Sequence, residues 1–157
     1  MKIIVDAMGG DNAPLEIVKG ALQAQKRFGA AIVFTGDEAA ILDAVRACGL
    51  TDLPDGAAVI PATETVEMCD DPATVFRRKK DTSMGVGLTL LKNGGGDAMV
   101  SAGSTGALLT GATLIAKRIH GIRRAAMAPV IPTATGSAVP VSYTHLRVHE
   151  TVLDLVC

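Results

Sequence analysis

Apolar residues along this 157-residue chain switch repeatedly between two spacings. Short apolar runs at Ile3 to Val5, Ala31 to Thr35, Ala57 to Pro61 and Asp97 to Ser101 read as buried strands. Between them the spacing becomes helical. Leu15, Ile17, Val18, Ala21, Leu22 and Phe28 fall on one side of a helix that Gly29 stops, and Ile41, Leu42 and Val45 mark another. That second helix is entered through Gly36-Asp37 as turn and cap, and ends near Gly49. Asp71-Pro72 predicts a short helix through Phe76, and Met84 to Leu91 a longer one closed by Gly94-Gly95-Gly96. Ser104 to Ile119 predicts a further helix and Ala126 to Ile131 a fifth strand. Strand and helix thus alternate, which is the pattern of an α/β protein with a parallel sheet and crossover helices.

In such sheets ligands bind beyond the carboxyl ends of the strands, so the residues following each strand are the ones to read for chemistry. Asp6-Ala7-Met8-Gly9-Gly10-Asp11-Asn12-Ala13-Pro14 follows the first strand. It supplies two carboxylates, an amide and two glycines that let backbone turn or approach a ligand closely. Asp11 or Asn12 is expected to cap a helix whose first turn takes Pro14. Ser101-Ala102-Gly103-Ser104-Thr105-Gly106-Ala107 follows the fourth strand. Free N–H groups at a helix opening attract anions, and Ser101, Ser104 and Thr105 add hydroxyls. The stretch is neither a P-loop nor a Gly-x-Gly-x-x-Gly fingerprint, and a tight capped turn accounts for it equally well. Between these two motifs lies Arg77-Arg78-Lys79-Lys80-Asp81-Thr82-Ser83-Met84. A four-cation run is usually a solvated face. Here Asp81 or Thr82 is a cap for the next helix, which sets the cations just before a helix opening, and arginine forks suit phosphate oxygens. The ligand common to all three motifs is phosphate.

Composition narrows the partners. The formal net charge is −1 and the chain holds no Trp, one Tyr and three Phe, so neither charge nor stacking surface favours nucleic acid. Cys48, Cys69 and Cys157 lack metal-ligand spacing and are expected to pack as small apolar groups in a reducing compartment. Ala98 to Ala116 and Ala125 to Thr144 lack charge, but their Ser, Thr, Gly and Pro content suits buried α/β elements better than a bilayer span. The start carries no secretory signal pattern. No Gly-x-Ser-x-Gly elbow is present, and His120 is expected at a helix end, interacting with the helix C-terminus. After Ala138 the composition changes: no Gly or Ala follows, and the only Tyr appears with His145 and His149. Those two histidines have i, i+4 spacing but lack a zincin glutamate between them and a third ligand.

The three motifs, Val5 to Pro14, Arg77 to Met84 and Val100 to Ala107, resemble the PlsX family of bacterial phosphate acyltransferases in residues, order and spacing, over about residues 1–138. The resemblance implies a Rossmann-like three-layer α/β/α fold with a mostly parallel sheet, similar to isocitrate and isopropylmalate dehydrogenases. It implies fatty acyl transfer from acyl carrier protein to inorganic phosphate, giving acyl phosphate for phospholipid synthesis, with no cofactor and no metal. A homodimer, cytoplasmic and peripheral to the inner face of the membrane, is expected of the intact enzyme. The phosphate and substrate seat is expected at Gly9, Gly10, Arg77, Arg78, Lys79, Lys80, Ser101, Gly103, Ser104, Thr105 and Gly106. Asp6, Asp11 and Asn12 are the catalytic candidates, set to shape and orient the site, and backbone N–H groups from Gly103 to Gly106 are expected to receive the oxyanion. Residues 139–157 follow no family pattern and read as foreign sequence joined to a truncated gene, which predicts an inactive chain by itself. Three alternatives remain at this stage: a phosphate acetyl- or butyryltransferase using acyl-CoA, a non-catalytic fragment with an open sheet edge, and, by fold analogy alone, an NAD-linked dehydrogenase that lacks the glycine fingerprint.

Overall fold

The computed structural model describes residues 1–121, 125, 130–134 and 136–138. They fall into two units, one from Met1 to Lys117 and one from Arg118 onward.

In the first unit, β1 (Lys2–Asp6), β2 (Ala31–Gly36), β3 (Ala57–Pro61) and β4 (Ala98–Val100) form one parallel sheet in the order β3-β2-β1-β4. Ile4 of β1 pairs with Val33 on one side and with Met99 on the other. Because side chains alternate along a strand, β1 feeds two cores. Ile3 and Val5 join Ile32 and Phe34 beneath α1 (Leu15–Phe28) and α2 (Glu38–Ala47), meeting Val18, Ala21, Ile41 and Val45. The opposite face is covered by α4 (Ser83–Lys92), which packs on β1, β2 and β4. There Met84 and Leu88 cluster with Val66, Val75, Ala107, Phe76 and Met99. Helices therefore lie on both faces, the three-layer α/β/α arrangement of a Rossmann-like fold.

Local chemistry sets most of the boundaries. Gly29 ends α1 in the left-handed conformation at φ 65°, its N–H on the Gln25 carbonyl. Asp37 caps α2 by accepting from Ala39 N at 2.9 Å and Ala40 N at 3.2 Å. Thr82 caps α4 through Gly85 N at 3.1 Å, so of the two cap candidates the threonine takes the role.

Several expectations are corrected. Neither Asp11 nor Asn12 caps α1 with its side chain. The N-cap is Pro14, entered from a turn in which Ala13 N meets the Gly10 carbonyl and Glu16 N the Asn12 carbonyl. The short helix is α3 (Val75–Arg78), not Asp71 to Phe76. The Asp71 carboxylate bonds Ala73 N and Thr74 Oγ1 and the Asp71 carbonyl accepts from Val75 N at 3.0 Å, a turn that leads into α3 at Val75. The helix expected over Ser104 to Ile119 is α5 (Thr105–Gly111), continued by a π-helical turn (Ala112–Ala116). Thr113 Oγ1 donates to the Leu109 carbonyl, Lys117 N to that of Ala112, and Lys117 at φ 70° ends the run. His120 therefore lies exposed beyond the helix rather than at its end. Cys69 is exposed, its thiol donating to Glu67 Oε2 at 3.4 Å, while Cys48 is half-buried as expected.

In the second unit, β5 (Ile131–Thr133) and β6 (Gly136–Ala138) form an antiparallel pair. Of the strand expected at Ala126 to Ile131, Ile131 opens β5, Val130 is not in a strand and 126–129 lie outside the described residues, as do His145, His149 and Cys157. Among the described residues no helix is long and apolar enough to cross a membrane.

Asp37→Ala is expected to cost about 1 kcal/mol through the lost cap. Phe34→Ala, which empties a fully buried ring position, is expected to cost about 3–5 kcal/mol. Urea midpoints of the two variants, at unchanged m-value, measure both.

Candidate functional site

Strand order reverses between β1 and β4: the chain runs outward from β1 through β2 to β3, then returns to the other side. A sheet with such a switch point leaves a crevice at the carboxyl ends of the two strands that flank it. Asp6 ends β1 and Ser101 follows β4, so the first and third sequence motifs meet there.

The contact is close. Ser101 Oγ donates to Asp6 Oδ2 at 2.7 Å, and Gly103 N donates to Ser101 Oγ at 3.1 Å. The second Asp6 oxygen accepts from Met8 N at 3.3 Å. Asp6 is 1% exposed and has no cationic partner among the described residues, so these donors carry its charge. Gly9 makes the approach possible. A methyl there would stand 2.7 Å from Asp6 Oδ2 and 2.9 Å from both Gly103 N and Ser101 Oγ. Gly10, at φ 114°, faces Ala102 across the same gap.

Ser104 is buried and caps α5, its Oγ accepting from Ala107 N at 3.4 Å. The first intrahelical bond of α5 is Leu108 N to the Ser104 carbonyl, so the N–H groups of Thr105 and Gly106 precede it. Both residues are exposed. The Gly103 and Ala107 N–H groups, by contrast, are already engaged by Ser101 and Ser104. The oxyanion donors expected from Gly103 to Gly106 therefore do not include Gly103 in this arrangement. Asp11 and Asn12 are exposed on the turn after Gly10, and among the described residues their side chains make no hydrogen bond.

The cationic motif divides. Lys79 Nζ bonds Asp70 Oδ2 at 2.7 Å and the Thr65 carbonyl at 3.0 Å, tying the loop after β3 to the end of α3. Asp70 was not apparent from the sequence; a carboxylate seven residues upstream of the run, beside Asp71, gives no signal of its own. Arg77, Arg78 and Lys80 are exposed and make no ion pair among the described residues. Arg78 lines a small cleft of about 270 Å³ with Asp70, Asp71 and Thr74. Asp81 accepts from Thr63 N at 2.9 Å and Thr63 Oγ1 at 2.7 Å, which lowers its carboxyl below the ordinary range. The α4 end of the motif reaches the crevice: Met84 lies against the Gly103 turn. Ser83 beside it is buried, and its hydroxyl has no hydrogen-bond partner among the described residues. Three cap-type residues in a row conceal this difference in the sequence. Among the described residues no cluster of metal-ligating side chains occurs.

Two outcomes are expected from this geometry. Gly9→Ala should destabilise by about 1–3 kcal/mol, because the methyl meets buried partners that cannot withdraw; a lowered thermal midpoint measures it. The Lys79 hydrogen bond holds Asp70 below its ordinary 3.8 and the same bond raises Lys79 above 10.5. Asp70 then stabilises fully above about 3.8 and loses that contribution as pH falls through its lowered value. Lys79 stabilises below about 10.5 and loses its contribution as pH rises through its raised value. Asp70→Asn should therefore be less stable than the parent between these limits and converge with it in acid. Unfolding midpoints across pH test the sign.

The family profile described as "Fatty acid synthesis protein" matches residues 1–142. The phosphate acyltransferase of Thermoanaerobacter pseudethanolicus is 46% identical over 140 residues, covering 88% of this chain and 40% of that protein. The phosphate acyltransferase of Thermoanaerobacterium thermosaccharolyticum is 44% identical over 139 residues, with the same coverage of both chains. That of Herpetosiphon aurantiacus is 42% identical over 140 residues, 88% of this chain and 37% of the relative. The chain thus spans about 40% of the length of these relatives. With the profile covering residues 1–142 and relatives 44–46% identical over 88% of its length, the chain belongs to the PlsX family of fatty acid synthesis proteins.

Proposed function

We propose that this chain supplies one wall of a site that transfers a fatty acyl group from acyl carrier protein to inorganic phosphate. The product is an acyl phosphate, the activated acyl donor for phospholipid synthesis. The observation that carries the reading is the interlock of the β1 and β4 turns at the switch point, with Gly9 packed on Gly103 and Ser101 on Asp6.

The chemistry asks little of the protein beyond placement. A phosphate oxygen attacks the thioester carbonyl carbon, the carbon–sulfur bond breaks, and the phosphate proton passes to the departing thiol. An acyl thioester and hydrogen phosphate become acyl phosphate and free thiol. A thiol of pKa roughly 8.5 leaves without a strong general acid. The transient oxyanion needs donors, and the Thr105 and Gly106 N–H groups are those left open at the start of α5. Ser104 and Thr105 hydroxyls and the exposed cations Arg77, Arg78 and Lys80 are the further phosphate ligands in this reading. Lys79 ties the end of α3, where they lie, to the loop after β3. Asp11 and Asn12 face solvent at the rim, where they orient substrate. In this reading the enzyme is a homodimer working at the inner face of the membrane.

Grafting residues 1–138 in place of the corresponding segment of the Thermoanaerobacter pseudethanolicus relative tests this. With hydroxylamine trapping, the graft should form acyl phosphate from phosphate and acyl carrier protein thioester, in preference to acyl-CoA. Preference for acyl-CoA would overturn the donor. Unchanged phosphate dependence in the graft carrying Ser104→Ala with Arg78→Ala would overturn the phosphate seat.

A further inference from the structure

Serine carries one hydroxyl proton. In Ser101 it is committed to Asp6 Oδ2 at 2.7 Å, the short distance of a charge-assisted bond, while the oxygen receives the Gly103 N–H at 3.1 Å. We infer that Asp6 is a positioning residue that acts through Ser101: the carboxylate on β1 fixes the hydroxyl, and the hydroxyl fixes the backbone turn that leads into α5. Ser101 is then a relay, not a ligand of the bound anion.

Three observations converge on this. Asp6 is 1% exposed, so its carboxylate cannot reach a ligand in the crevice directly. Its two oxygens are each satisfied by a donor from a turn, Met8 N on one and Ser101 Oγ on the other, so the charge is spent on holding both turns. Gly9 leaves no room for a side chain between Asp6, Ser101 and Gly103, which lets the two turns close on each other. The hydroxyl left to donate outward is that of Ser104, whose oxygen accepts from Ala107 N while its proton remains unassigned to any acceptor.

The inference rests on the reading of this turn as a phosphate seat, and one set of measurements separates the two. In the isotope-labelled chain, hydrogen exchange at the Gly103 amide is followed in the parent, Asp6→Ala, Asp6→Asn, Ser101→Ala and the Asp6→Ala/Ser101→Ala double variant. Inorganic phosphate is then titrated against the amides of residues 101–106. Gly103 protection should fall by about tenfold in both alanine variants, the equivalent of one hydrogen bond. The double variant should fall no further. Asp6→Asn, whose side-chain oxygen still accepts, should recover most of the protection. Phosphate affinity should fall by the same factor in Asp6→Ala and Ser101→Ala, at unchanged shifts elsewhere in the sheet. Weakened phosphate binding in Ser101→Ala with full binding in Asp6→Ala makes Ser101 a direct ligand and overturns the relay, as do losses that multiply in the double variant. If Asp6→Ala fails to fold, loss of Gly103 protection in Asp6→Asn while Ser101→Ala keeps it overturns the relay equally. A parent chain that ignores phosphate but loses Gly103 protection in both alanine variants supports the relay and overturns the phosphate seat.

Discussion

Pairing of β1 on both of its edges is the constraint on which the rest of the first unit depends. A strand buried between two neighbours and two helical layers must be apolar on both faces, and Ile3, Ile4 and Val5 satisfy this. A polar group at its end is then delivered to one place only, the rim of the sheet. Asp6 shares a face with Ile4, so its side chain turns toward α4 and the β4 turn rather than toward α1. The crossover through α4 brings β4 to the free edge of β1, and Ser101 arrives opposite Asp6 as a result.

A buried carboxylate next to an anion-attracting turn is electrostatically costly unless donors surround it. The molecule meets that cost with neutral dipoles instead of a cation. Among the described residues the exposed cations Arg77, Arg78 and Lys80 form no ion pair, whereas Lys79 is bound by Asp70. Adjacent residues at a helix end point in different directions, and of the four cations Lys79 is the one that meets Asp70. One of the four is structural for that reason.

Much of this was legible in the sequence. The strands β1, β2 and β3 and the helices α1, α2 and α4 follow from apolar spacing, and Gly29, Asp37 and Thr82 mark their ends by simple stereochemistry. Where side chains bond their own backbone, spacing misleads. Asp71 bonds the turn that precedes α3, and Thr113 accompanies the change of α5 into a π-helical turn, so both helices have other bounds than apolar spacing suggests. The three motifs could be recognised individually, and the first and third do meet. Their mutual geometry was not readable, since nothing in a single sequence states that residues 6 and 101 share a proton.

The distance along the chain between those residues has a kinetic meaning. β1 finds β2 after about 29 residues but meets β4 only after about 95. Closing the longer loop costs more chain entropy and forms the less local contact, so the β1–β4 edge belongs to the later part of assembly. During synthesis Asp6 emerges first and stays hydrated until Ser101 follows it. The crevice is therefore absent from any nascent chain that stops short of β4, however completely β1, β2 and β3 have joined.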